Sequence, residues 1–201
     1  MNKIISMWLS AVLVLGLLSA CAGGTASGQP EGGAQSTDAA QSEQDTASLG
    51  ALASFSAGTL DGGSFTQDDI MAKDVTALNF WALSCGPCIA EMPDLAEFAK
   101  ALPDNVQLVT VCLDGSGNED TAREVLEQAG FEGVTLISGD GDLAALAGNL
   151  MYTPTTVFAD SEGNLVGEPI IGGQKDLAGT YLTAMNAVLA AGGKAEISLE
   201  A

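Results

Sequence analysis

The sequence predicts an α/β layer structure, a mixed central sheet flanked by helices and preceded by an N-terminal β-hairpin. Three observations carry this. Strand-like and helix-like segments alternate through the first half of the folded region, two strands joined by a tight turn follow, and an apolar helix comes last. Taken in order, "ASFSAGTLDGGSFT" (53–66) alternates in polarity around "DGG", the pattern of a hairpin. A short helical turn near "TQDDIMA" follows, then "VTALNFWAL" (75–83), a buried strand. From Cys85 to about Leu102 a helix is expected, with Cys88, Met92, Leu95, Ala99 and Leu102 spaced to share one face. "NVQLVTVCLD" (105–114) is a second apolar strand, and "NEDTAREVLEQAG" is an amphipathic helix stopped by Gly130. "GVTLIS" reads as a short strand and "DLAALAGNL" as a short helix. "TPTTVFAD" and "NLVGEPIIG" are two strands joined through "SEGN". A helix from about Asp176 to Ala191 precedes a polar tail.

The first 20 residues read as an export signal. Lys3 supplies the positive start, Ile4 to Leu18 form an apolar run, and "LSAC" (18–21) ends it in small residues. The run is shorter than the roughly 20 residues a membrane-spanning helix needs. "LSAC" resembles a bacterial lipobox, in which Cys21 becomes the lipidated N-terminus; the alternative is an ordinary signal that happens to end in Cys21. A doubly acylated cysteine would hold the protein on a membrane surface outside the cytoplasm, since one chain alone anchors only marginally. Residues 21–50 then comprise this cysteine and a tether. Beyond Cys21 the tether has no aromatic, no valine or isoleucine and a single Leu, too little apolar surface to offset the entropy of ordering. Its typical reach is roughly 30 Å. Residues 51–201 are enough for one compact domain.

Six basic and 26 acidic residues give a formal charge of −20. That excess argues against nucleic acid as a partner and against electrostatic adhesion to anionic lipid. Of four cysteines, two stand two residues apart in "NFWALSCGPCIAEMP" (79–93). The chain has no histidine and no second C-x-x-C, so the ligand set of a structural zinc site is missing, and no metal or other cofactor is called for. A staple across two residues constrains almost no chain, because the entropic benefit of a disulfide grows with loop length. Redox chemistry remains. Cys85 falls where strand gives way to helix, so unpaired N–H groups and the positive end of the helix dipole favour its thiolate. Pro87 falls in the first turn, where its missing N–H costs nothing. Cys88 faces the core. Cys85 is therefore assigned as nucleophile and Cys88 as the resolving thiol. Cys112 reads as a buried apolar residue, with a redox role as the alternative.

Residues 79–93 resemble the active-site segment of the TlpA/ResA-like branch of the thioredoxin superfamily, N-F-W-x-x-x-C-x-x-C-x-x-E-x-P, matched by Asn79, Phe80, Trp81, Cys85, Cys88, Glu91 and Pro93. "TLDGGSFT" and "YTPTTVFADSEGNLVG" extend the resemblance to roughly residues 52–190. It implies a thioredoxin-like fold and membrane-anchored thiol-disulfide oxidoreductase activity. It also implies a cis bond before Pro154, with Thr153 pairing a substrate chain as an added strand; without the resemblance a trans proline is the default. Gly86, Pro87 and Trp81 are expected at the docking surface, with a core role as the alternative for Trp81. Thioredoxins bury an aspartate six residues before the first cysteine, where this chain has Asn79. Glu91, turned inward three residues after Cys88, is then the candidate to take the Cys88 proton; the alternative is a partly exposed carboxylate. Pro93 removes a helical hydrogen bond and is expected to kink the helix. Position 89, often basic in the family, is Ile here. Gly-Pro between the cysteines is thioredoxin's dipeptide and favours reduction. The implied partners are disulfides of exported proteins, such as apocytochrome c or a methionine sulfoxide reductase, and a DsbD/CcdA-like membrane electron donor. A disulfide-forming oxidase and a non-enzymatic peptide-binding module are the competing functions.

Overall fold

A computed structural model of the chain describes residues 50–199. The expected signal peptide (1–20), the expected lipidation at Cys21 and the expected tether up to residue 49 lie outside the described residues. The described part opens with a hairpin of β1 (Ser56–Gly58) and β2 (Ser64–Thr66), turned where Gly62 takes a φ of 82°. Thr66 caps α1 (Gln67–Met71) through a reciprocal box with Asp69. There follow β3 (Val75–Trp81), α2 (Gly86–Lys100), β4 (Val106–Cys112), α3 (Glu119–Ala129), β5 (Thr135–Leu136), α4 (Gly141–Asn149), β6 (Thr155–Asp160), β7 (Ile170–Ile171) and α5 (Leu177–Ala191). Five strands form one sheet in the order β5-β4-β3-β6-β7. β3 pairs parallel with β4 and antiparallel with β6, so the sheet is mixed.

The central strand explains its own sequence. All seven residues of β3 are buried, because each face of the sheet is covered, so apolar residues point to both faces and the two polar ones, Thr76 and Asn79, are buried with them. Val75, Ala77 and Trp81 join a core with residues of α2, α3 and α5, whereas Leu78 and Phe80 join another with the hairpin, α1 and α4. β3 stops at Trp81 instead of Leu83, since the Leu83 N–H turns to the Asp114 carboxylate at 2.9 Å. The buried stripe of α2 is Cys88, Glu91, Met92, Leu95, Ala96 and Phe98, with Ala99 and Leu102 only half-buried. Phe98 sets this rotation by meeting the Tyr181 ring edge-on at 5.7 Å. α2 continues through Pro93 to Lys100.

Two local expectations need correction. "NLVGEPIIG" is not one continuous strand. Leu165 bridges Ala159, but Ile170 pairs with Thr156, so five steps of the return chain oppose three of β6. Gly167 at φ 79° and Pro169, which has no N–H to give, account for the break. The C-terminal tail is also more than polar solvated chain. Ile197 and Leu199 pack against the core, and Asn186 on α5 clamps the tail by donating to the Ile197 carbonyl (3.0 Å) and accepting its N–H (2.8 Å). Lys194 pairs with Asp74 at 2.9 Å.

Asn186→Ala removes both clamp bonds and should cost roughly 1–2 kcal/mol. Trypsin should then cut after Lys194 faster than in the unaltered protein, measured by mass spectrometry under native conditions. An unchanged cleavage rate would show that the clamp does not hold the tail.

Candidate active site

β3 delivers the chain to the first turn of α2, and Cys85 stands at the junction. It is the N-cap, with extended backbone (φ −86°, ψ 96°), and its Sγ accepts the Cys88 N–H at 3.2 Å. Cys85 and Cys88 are joined in a disulfide with Cα atoms 5.3 Å apart. In the reduced protein the same N–H would meet a Cys85 thiolate in place of the disulfide sulfur. α2 has no acid in its first turn and Lys100 in its last, so no side chain of the first turn opposes a negative sulfur there. Cys88 is wholly buried and Cys85 half-buried, while Gly86, Pro87 and Ile89 are exposed around it. One sulfur is therefore offered to a partner and the other is kept from it.

Below the pair lies Glu91, 6% exposed, which excludes the reading as a partly exposed helix carboxylate. Oε1 accepts the Asn79 Nδ2 at 3.2 Å, and Oε2 has no hydrogen-bond partner. Burial pushes its pKa up from 4.5 to about 7. The Asn79 hydrogen bond opposes that rise, and the Gln174 backbone N–H pulls the same way without completing a hydrogen bond to the unpartnered Oε2. The nearby Asp94 charge adds to the rise. Among the described residues the two ion pairs are Arg123 with Asp120 and Lys194 with Asp74, so no cation is paired with Glu91. A carboxyl so placed exchanges its proton near neutrality.

Asn79 also reaches Thr156 Oγ1 (3.0 Å) and Tyr181 Oη (3.3 Å), and those two hydroxyls lie 2.5 Å apart. Sequence reasoning missed Thr156 and Tyr181. The available signal was a tyrosine within an apolar helical face, whose hydroxyl needs a buried partner.

The Thr153–Pro154 bond is cis, with Thr153 half-buried and Pro154 buried. Thr155, the next residue, registers with Phe80, so this loop and the cysteine loop leave the same end of the sheet. The Pro154 carbonyl accepts the Gly172 N–H at 2.8 Å, whereas no hydrogen bond within the described residues uses the Thr153 backbone.

Trp81 must be corrected. It is wholly buried in the core cluster that contains Cys88, so it supports the pair from within and is not part of a docking surface. Cys112 is a buried free thiol, pushed up to about 12 by burial and the Asp114 carboxylate, and is unsuited to exchange. Asp114 Oδ1 receives both the Leu83 N–H and the Cys112 thiol (3.6 Å), which ties the loop before Cys85 to the end of β4. Among the described residues no cluster of His, Cys, Asp or Glu is placed to hold a metal ion.

Residues 43–170 match the Redoxin family model. The thioredoxin-like protein YneN of Bacillus subtilis (strain 168) is 34% identical over 112 residues, which are 54% of this chain and 63% of YneN, so the match spans just under two thirds of that relative. The thiol-disulfide oxidoreductase YkuV of the same organism is 26% identical over 106 residues, 51% of this chain and 71% of YkuV. The crystal structure of the pneumococcal exposed lipoprotein thioredoxin from Streptococcus pneumoniae strain TIGR4 superposes with a TM-score of 0.55 at 27% identity, covering 67% of this chain and 99% of that one. The chain belongs to the Redoxin family, and its thioredoxin-like fold carries at Cys85 and Cys88 the paired-cysteine site of that family's thiol-disulfide oxidoreductases.

Proposed function

We propose that this protein is a lipid-anchored thiol-disulfide oxidoreductase on the extracytoplasmic face of a bacterial membrane, where it reduces disulfides of exported proteins. The observation that carries the reaction is the unequal exposure of the disulfide-bonded pair, Cys85 at the surface and Cys88 buried one turn in. In the dithiol form the Cys85 thiolate attacks a client disulfide. That S–S bond breaks, one client sulfur leaves and takes a proton, and a mixed disulfide forms. Glu91 takes the proton of Cys88, whose sulfur attacks Cys85 Sγ. The second client sulfur leaves, the Cys85–Cys88 bond closes, and two electrons have passed to the client. A membrane dithiol carrier of the DsbD/CcdA class would return them.

The client chain is assigned to the edge at Thr153, whose unengaged backbone suits an added strand. The location is supported by "LSAC" at residues 18–21 and by the lipoprotein character of the pneumococcal relative. Direction is supported by Gly86-Pro87, thioredoxin's dipeptide, because thioredoxin stands near −270 mV against about −120 mV for the strong oxidant DsbA. Apocytochrome c and methionine sulfoxide reductases are the client classes to examine first.

The reduced protein should reduce insulin disulfides, Cys85→Ser should abolish this, and Cys88→Ser should trap a mixed disulfide on Cys85. Activity that survives Cys85→Ser would reject the mechanism. A potential above roughly −150 mV on equilibration with glutathione would make the protein an oxidant instead. Glu91 accepts a proton only when ionised, so the rate should fall as pH drops through about 7. Glu91→Gln should slow reduction roughly tenfold or more at pH 7.5 and leave only the acid limb of the Cys85 thiolate. An identical pH-rate profile would show that the carboxylate moves no proton.

A further inference from the structure

Four polar side chains meet inside an otherwise apolar layer, one from each of β3, α2, β6 and α5. Asn79, Thr156 and Tyr181 are at most 1% exposed, and Glu91 is 6% exposed. Asn79 is the hub. Its Nδ2 has two hydrogens and three oxygens within reach: Glu91 Oε1, Thr156 Oγ1 and Tyr181 Oη. The two hydroxyls are already bonded to each other, so they receive the amide as a unit. One N–H is left for Glu91 and one for the hydroxyl pair. Asn79 Oδ1, on the other side of the amide, has no partner. Turned over, the amide would set its oxygen against the carboxylate and take both N–H groups away from these three oxygens.

We propose that Thr156 and Tyr181 are positioning residues for thiol exchange: they hold the Asn79 amide by its second N–H so that the first stays on Glu91. The inference rests on the proposed role of Glu91 as acceptor of the Cys88 proton. The two hydroxyls exchange nothing with sulfur and act through Asn79. A strand and the C-terminal helix, 77 and 102 residues from Asn79, thereby set how Glu91 holds its proton. The other groups acting on the carboxyl are Asp94 on its own helix and the Gln174 backbone N–H after β7. Phe98 and Phe158 grip the Tyr181 ring edge-on at 5.7 and 5.9 Å, so its hydroxyl can be deleted with the ring left in place.

The test is the pH-rate profile of insulin reduction for Tyr181→Phe, Thr156→Val, their combination and Thr156→Ser, each also made with Glu91→Gln. The Asn79 bond favours the ionised carboxylate, so its loss raises the pH needed for ionisation. The combined variant should move the acid limb up by about half a pH unit or more, and Thr156→Ser should stay within about 0.2 unit. With Glu91→Gln present, the hydroxyl deletions should shift nothing. If the Glu91→Gln profile differs from that of the unaltered protein while the combined variant does not move, the positioning role is wrong and the proton role stands. A shift that persists with Glu91→Gln also overturns it, because the hydroxyls then act by another route. An unchanged Glu91→Gln profile removes both. Should the combined variant not fold, Tyr181→Phe carries the test through direct NMR titration of the Glu91 carboxyl in the oxidised protein; an upward shift supports the role and an unmoved titration contradicts it.

Discussion

The site depends on one junction, the point where the central strand β3 hands the chain to α2. A strand buried on both faces cannot shift without disturbing two cores, so the residue that follows it is placed with little freedom. The first turn of α2 has N–H groups without helical partners, and Cys85 is the residue positioned to receive one. Asp114 secures the intervening loop from β4, and the Thr153–Pro154 loop leaves the sheet at the same end. The chemistry proposed for the two sulfurs rests on their separation by one helical turn: the outer one is half-buried beside an N–H of the first turn, and the inner one is wholly buried.

Glu91 shows what that arrangement demands elsewhere. A buried carboxylate with no cation beside it weakens the fold whenever it is charged. Its pKa in the native state lies above the ordinary value, so between about pH 4.5 and about pH 7 the native protein keeps a proton that the unfolded chain has lost. Stability from this group therefore falls as pH rises through that window. The proposed proton transfer would account for keeping such a residue three positions from Cys88. The polar residues around it, Asn79, Thr156 and Tyr181, supply a partial offset by giving the carboxylate one directed hydrogen bond.

Much of this was legible in the sequence because its causes are local. β3 and β4 read as apolar runs, Gly130 at φ 71° ends α3, and the cysteine spacing marks a strand-to-helix turn whatever the rest of the chain does. The interruption after Leu165 was misjudged although Gly167 and Pro169 were in plain view, because the apolar pairs on either side suggested a continuous strand. Trp81 could be placed only when the sheet face it shares with Asn79 was seen to be covered by α2 and α5. The cis bond before Pro154 came from family resemblance, being a minority state that no neighbouring residue announces. Thr156 and Tyr181 gain their meaning from contacts made across the sheet, to which sequence periodicity is blind.

The most direct test of this account is the pH dependence of Cys85 alkylation in the reduced protein, followed by peptide mass spectrometry at low iodoacetamide. Placement at the mouth of α2 predicts a thiolate titrating at about pH 7 or below, with Cys88 and Cys112 protected. A midpoint near 8.5, the value of a free cysteine, would contradict it.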